Sequence, residues 1–187
     1  MPPDTPTAPD AQVVLDFWFN ELDVKQHFAK DDALDALIKD RFTTTLQSAK
    51  RGELAHWRAT PEGRLAEIIV LDQFSRNVWR DTPQAFAQDA QALTLAQELA
   101  SGGQWSELPP AKRAFAWMPF MHSESLRVHR QAEALFDQPG LENTRSFEQG
   151  HRAILERFGR YPHRNVALAR ISTEEEIAFL TQPGSAF

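Results

Sequence analysis

Cysteine is absent from this 187-residue chain. Its absence excludes disulfides, thiolate metal sites and thiol nucleophiles, and it is typical of proteins in a reducing compartment. Long hydrophobic runs are missing too: the longest, at residues 115–121, is far shorter than the roughly 20 residues of a membrane-spanning helix. The first ten residues have neither the basic start nor the apolar centre of a signal peptide. We therefore expect a cytoplasmic protein that does not engage a membrane.

Basic residues are outnumbered by acidic ones and are unevenly distributed. The formal net charge is −6, which argues against a nucleic-acid partner. Only five basic residues are Lys, and none follows Lys112. Residues 150–170 nevertheless hold five Arg and two His against a single acid, Glu156. A basic segment in an acidic chain indicates a local anion site or internal ion pairs, and the planar fork of Arg suits both.

Apolar residues recur at helical spacing, and the alternation of a β-strand is missing. The predicted helices cover about 10–21, 31–52, 60–80, 81–101, 109–118, 123–136, 144–158 and 172–180. Asp10 is the predicted cap of the first helix. Pro119 should break or kink the fifth, which would place residues 122–124 near a helix start. Seven to eight helices with short connections predict an all-α fold of antiparallel helical hairpins. We expect a single domain over 10–187, preceded by a disordered or irregular segment 1–9.

Residues 72–77 place charge on an apolar helix face. Asp72 follows Ile68 by four residues and Ile69 by three, so it belongs to the same buried stripe. Arg76 lies one helical turn further on and is positioned to pair with Asp72. Because buried charge is costly unless it is paired, Asp72 and Arg76 form either an internal salt bridge that fixes helix packing or part of a ligand site.

Residues 118–125 contain His122 and Glu124, which are candidates for an acid–base pair. The alternative is that Ser123 caps a helix and Glu124 complements its dipole. The pair is a weak signal for a metal, so no metal site is predicted, although His151 and His163 could complete one. His151 lies on an apolar helix face, where a lone His is more often a hydrogen-bonded core residue than a ligand.

Residues 157–165 form the most distinctive segment. Gly159 ends a helix and Pro162 sets a turn, so that polar side chains are presented from a rigid loop. His163 is a further candidate for proton transfer. The candidate ligand-binding groups of this segment are Arg157, Arg160, Arg164 and Asn165. The alternative is a connector between helices whose arginines neutralise carboxylates such as Asp72 or Glu124.

Several such blocks, in this order, resemble the bacterial domain-of-unknown-function family 924. The resemblance spans nearly the whole chain, through residues 14–19, 71–77, 80, 85–89, 118–124, 151, 157–165, 170, 172–176 and 179–180. Ser75 stands where this family usually has Pro, and Tyr161 where Phe is common, and neither change involves a charged group. The resemblance implies a helical-hairpin fold similar to tetratricopeptide-like domains. It implies no activity.

Three functions are compatible with these residues. We favour a polar pocket for a small anionic or zwitterionic molecule, which would be a binding or a catalytic site. Its lining would be Asp72, Arg76, His122, Glu124, His151, Arg160, His163 and Arg164. Arg160 and Arg164 would hold a carboxylate or phosphate. His122 or His163 would move a proton.

The second function is an interaction module whose arginines grip an acidic peptide. The third is a purely structural role, in which every charge pairs internally. Whether the protein is an enzyme, and which cofactor, reaction and oligomeric state it has, are left open by the sequence.

Overall fold

The computed structural model describes residues 10–185, and over that range it contains helices and turns but no strand. The α-helical segments are α1 Ala11–Asp16, α2 Asp32–Lys50, α3 Pro61–Ile69, α4 Ser75–Val78, α5 Asp89–Ser101, α6 Pro110–His122, α7 Leu126–Phe136, α8 Glu142–Phe158 and α9 Glu174–Leu180. A π-helical turn, Val70–Phe74, joins α3 and α4 into one continuous helix. The segments therefore form eight helices in the described part of the chain. The prediction of an all-α fold with seven to eight helices is confirmed.

The helix ends follow the capping residues of the sequence. Thr60 accepts a hydrogen bond from the backbone N–H of Gly63 at 3.1 Å, just ahead of the proline that opens α3. Thr173 and Glu176 form the capping box of α9. Gly159 ends α8 with a φ of 70°, a conformation that only glycine adopts at little cost. Asp10 is the N-cap residue of α1, as predicted, although its side chain makes no capping hydrogen bond.

The helix does not break at Pro119, where the sequence predicted a break or a kink. Pro119 lies inside α6, which continues to His122. A proline in a helix removes one backbone hydrogen bond and costs about 3 kcal/mol. Every residue from Phe115 to Met121 is buried, and this packing outweighs the local cost. Consequently His122 is the last residue of α6, and α7 begins only at Leu126.

The helix predicted for residues 81–101 is shorter than expected. Asp81 has a φ of 60°, and a 3-10 turn, Pro83–Ala85, precedes α5. The helix itself begins at Asp89. Because of this interruption, Phe86 precedes the helix and Asp89 is its first residue. Both lie beside the end of α6.

The core consists of one large apolar cluster and one small one. In the large cluster α3 packs against α1, α5 and α6, and α6 packs in turn against α7. The small cluster has only Ile154, Leu155 and Tyr161 at its centre. The segment that follows Gly159 is therefore docked largely by polar contacts. Over residues 10–185 no helix is both long and apolar enough to cross a bilayer.

Candidate functional site

A cleft of about 400 Å³ lies between the start of α5, the end of α6 and the loop that follows Gly159. Its polar wall is formed by Asp89, His122, Ser123, Glu124 and Arg164, and its apolar wall includes Phe86, Leu93, Pro119 and Leu168. Segments far apart in the sequence thus meet at one place. Three of the predicted site residues, namely His122, Glu124 and Arg164, line this cleft.

Asp72 lies behind the cleft wall, in the π-helical turn between α3 and α4. Such turns add one residue to a helix and are frequent at functional sites. The Asp72 side chain is only 1% exposed. Its Oδ1 lies 2.8 Å from Nδ1 of His122 and 3.0 Å from Nη1 of Arg76. The predicted pairing of Asp72 with Arg76 is therefore present, and His122 joins it.

The ionisation of Asp72 determines the state of His122. Burial alone would raise the pKa of Asp72, but the charge of Arg76 and the hydrogen bond from His122 outweigh it and hold the pKa well below its usual range. An ionised carboxylate only accepts hydrogen bonds, so Nδ1 of His122 must donate and Nε2 keeps its lone pair. Burial, assisted by Arg76, lowers the pKa of His122 despite the neighbouring carboxylate. His122 is consequently a neutral, oriented base at pH 7.

Arg76 and Arg164 converge on a second carboxylate, that of Asp89. Arg76 binds it with both terminal nitrogens, at 2.8 and 3.0 Å, and Nη1 of Arg164 lies 3.3 Å from its Oδ2. Both guanidinium groups also lie over the ring of Phe86. Arg164 donates in addition to the backbone carbonyl of His122 at 2.9 Å. Arg164 thus also holds the last residue of α6 in place.

His151 and His163 extend the site behind His122. The ring centroids of His122 and His151 are 6.2 Å apart, and Tyr161 contacts His151 edge-on and stacks on His163, each at 5.6 Å. His151 donates from Nδ1 to the carbonyl of Phe147 at 2.8 Å. Burial lowers the pKa of His151 to about 3 and that of His163 to about 4. Both rings are therefore neutral at pH 7.

Glu124 and its partners fasten the loop after Gly159 to the end of α6. Arg170 binds both oxygens of Glu124, at 2.8 and 2.9 Å, and Glu124 also accepts from the backbone N–H of Tyr161 at 2.7 Å. Burial would raise the pKa of Glu124, but these donors lower it, so Glu124 is ionised. The oxygens of Glu124 are thus occupied as hydrogen-bond acceptors. His122, whose Nε2 keeps its lone pair, is the basic group of the cleft.

Other residues of the 157–165 segment bind the start of α9. Arg160 makes a two-pronged pair with Glu176 at 2.7 and 2.8 Å, and Asn165 donates to the same carboxylate at 3.2 Å. Arg157 lies 2.8 Å from Glu175 in an exposed pair. Neither arginine lines the cleft. The structure thus brings Asp72, Arg76, His122 and Arg164 together and sets Arg157, Arg160 and Asn165 apart from them.

Two members of this arrangement, Asp89 and Arg170, were not singled out from the sequence as site residues. Both belong to the residues that carry the family resemblance, Asp89 in the block 85–89 and Arg170 as a single residue, and that was the available signal. Within residues 10–185, no group of three or more His, Asp or Glu is arranged to hold a metal ion.

The fold and the cleft together define an all-α protein with a buried, mixed-charge cluster beside a small cleft. The chain belongs to the family described as "Bacterial protein of unknown function (DUF924)", whose model matches residues 14–184. Its structure is similar to that of the protein of unknown function ATU0120 from Agrobacterium tumefaciens, with 36% identity and a TM-score of 0.85 over 91% of this chain and 96% of that one. No curated protein matches this chain significantly. Neither the family description nor the similar structure names an activity.

Proposed function

We propose that the cleft binds a small anionic or zwitterionic molecule and that His122 exchanges a proton with it. The observation that carries this proposal is the 2.8 Å hydrogen bond between Asp72 and Nδ1 of His122, on the wall of the cleft. A neutral imidazole whose second nitrogen is oriented by a buried carboxylate is an effective general base. The side chain of His122 is 16% exposed, so its reactive edge is within reach of a ligand.

The two arginines at the cleft supply the donors that an anionic group on a ligand would need. Arg164 lies on the cleft wall and Arg76 directly behind it, with Asp89 between their guanidinium groups. Guanidinium groups bind carboxylate and phosphate with two parallel hydrogen bonds. The cleft volume of about 400 Å³ lies at the small end of ligand sites, which run from about 300 to 1,000 Å³. The geometry therefore suits a small molecule better than a peptide.

An interaction module that grips an acidic peptide has less support. Two of the arginines that would do the gripping, Arg157 and Arg160, bind Glu175 and Glu176 of the chain's own helix α9. A purely structural role for the charges accounts for these outer pairs. It does not require a cleft at His122 or a free lone pair on that ring.

The proposal is tested by the reaction of the six histidines with diethyl pyrocarbonate, which modifies neutral imidazole nitrogens. At pH 7, peptide mass spectrometry should show His122 reacting faster than the buried His129 and His151. Millimolar benzoate or inorganic phosphate should slow His122 and leave the exposed His56 unchanged.

Asp72→Asn should also slow His122, because the proton is then no longer confined to Nδ1. Asp137→Asn, which removes an exposed carboxylate from a pair with Arg145, is the matched control. If His122 reacts no faster than His129, or if neither anion protects it, the proposed function is wrong.

A further inference from the structure

Asp89 is held in the manner in which a protein holds an anionic ligand. Two guanidinium groups from different parts of the chain converge on its carboxylate, with Arg76 at 2.8 Å and Arg164 at 3.3 Å. Both lie over the ring of Phe86, at 5.5 and 4.7 Å from its centroid. A planar oxyanion between two arginines and beside an aromatic ring is a common arrangement for carboxylate recognition.

The two carboxylates of the cluster differ in how firmly they are held. Asp72 is 1% exposed and is bonded on three sides, to Arg76, His122 and Gln73. Asp89 is 20% exposed, lies in the first turn of α5 and lines the cleft. Its side-chain partners are the two arginines. A rotation of this one side chain would bring Asp89 into solvent and leave Asp72 in place.

Departure of Asp89 would create a site for an anion. Arg76 and Arg164 would then face one carboxylate, Asp72, so the cluster would hold one uncompensated positive charge. Arg164 is only 7% exposed, and its Nε has no hydrogen-bond partner among residues 10–185. A buried donor of this kind is costly when it is left unsatisfied. An incoming oxyanion would restore the charge balance and offer that donor an acceptor.

From this arrangement we propose that Asp89 occupies, in the free protein, the position of a ligand's carboxylate. The ligand is then a small carboxylic acid with a compact apolar or aromatic body. The carboxylate binds Arg76 and Arg164 in place of Asp89, and the body lies against Phe86, Leu93 and Leu168 of the apolar wall. The inference rests on the proposed function, since it assigns the ligand class of the same cleft.

Removal of the competing carboxylate tests this inference. The measurement is calorimetric titration of benzoate into the wild type, Asp89→Asn and the control Asp137→Asn. If the Asp89 carboxylate is paired with Arg76 and Arg164 about nine-tenths of the time, its removal should lower the Kd for benzoate roughly tenfold. Asp137→Asn should leave the Kd unchanged. Benzamidine, a cation of the same shape, should not bind, and inorganic phosphate should bind more weakly than benzoate. An unchanged or weaker affinity in Asp89→Asn overturns the inference.

A second measurement uses the wild type and keeps the inference testable if Asp89→Asn does not fold. The Nε–H resonance of Arg164 in a nitrogen-15 spectrum should shift on addition of benzoate and stay in place with benzamidine. An unmoved resonance at saturating benzoate contradicts the inference. The two proposals fail separately. Protection of His122 without a gain in Asp89→Asn sinks the role of Asp89 alone, whereas an unreactive His122 sinks the proton-transfer function.

Discussion

Replacement of Asp72 with Asn removes one charge from the centre of the buried cluster and almost no volume. The Asn amide can present either its oxygen or its nitrogen to Nδ1 of His122, which now lies 2.8 Å from Oδ1, so it no longer dictates which ring nitrogen carries the proton. The other end of the amide would face Gln73, whose own amide can turn to match it. The main loss is therefore the charge that compensates Arg76, and the substitution measures what the pairing contributes.

The expected cost follows from burial. Breaking a buried ion pair by removing one partner costs about 3–5 kcal/mol, because the remaining charge is left uncompensated. Arg76 keeps its contact with Asp89, so the low end, about 3 kcal/mol, is expected. In a chain of this size, 1 kcal/mol moves Tm by about 2–4 °C. Asp72→Asn should therefore lower Tm by about 6–12 °C.

Urea denaturation followed by far-ultraviolet circular dichroism measures this cost. The midpoint should fall in Asp72→Asn while the slope stays the same, since the exposed area on unfolding is unchanged. Asp137→Asn breaks a pair whose side chains are 64% and 47% exposed, and it should cost less than about 1 kcal/mol. If Asp72→Asn loses no more stability than this control, the reasoning about a buried, charge-paired Asp72 is refuted.

The same pair predicts a pH dependence. The pKa of Asp72 is lowered in the folded protein, so its contribution is fully present above the unfolded pKa and is lost as the pH falls. The loss begins below about pH 5. The stability of the wild type should therefore decline more steeply than that of Asp72→Asn in that range, and parallel curves would contradict an ionised Asp72.

Three further perturbations test other parts of the account. Burial lowers the pKa of His151 from its usual 6.5 to about 3. Between these two pH values only the unfolded chain binds a proton at His151. Stability should fall by about 1 kcal/mol per pH unit from this group below pH 6.5. His151→Gln should flatten the curve measured by urea titration at pH 7, 6 and 5, and an unaltered slope contradicts the neutral ring. Ala169 has a φ of 52°, so Ala169→Gly should gain about 0.5–1 kcal/mol in the same assay, and a loss would show that the strain is absent. A Cβ on Gly63 would lie 1.9 Å from the carbonyl oxygen of Trp57, so Gly63→Ala should lower Tm although alanine favours helices. Gly102→Ala, whose nearest contact would be 3.4 Å, is the matched control, and equal Tm values for the two would contradict the clash.

Local signals predicted most of the fold. Helical spacing and capping residues such as Thr60, Thr173 and Gly159 fixed where helices begin and end, because capping bonds form within a few residues. The errors occurred where tertiary packing opposed a local preference. Pro119 remains inside α6 because its neighbours are buried, and burial is a property of the assembled helices that no single segment reveals.

The candidate site divides in the same way. The pair of Asp72 and Arg76 was predictable, since helix geometry places side chains four residues apart side by side. The meeting of Arg164 with Asp89 was not, because those residues are separated by 75 positions and only the fold joins them. For the same reason the sequence did not reveal that Arg160 would be bound to Glu176 of α9. Charge composition predicted a candidate site, and the topology decides which charges lie together.

The central claim is that His122 is a neutral base whose proton Asp72 confines to Nδ1. Nitrogen-15 NMR of the imidazole ring, recorded from pH 8 to pH 5, tests it most directly because it reports both the tautomer and the pKa. We expect the Nδ1–H tautomer at pH 7 and a pKa below the ordinary value of 6.5. In Asp72→Asn the preference for that tautomer should be lost. A wild-type His122 that carries its proton on Nε2, or that is already protonated at pH 7, would contradict the account.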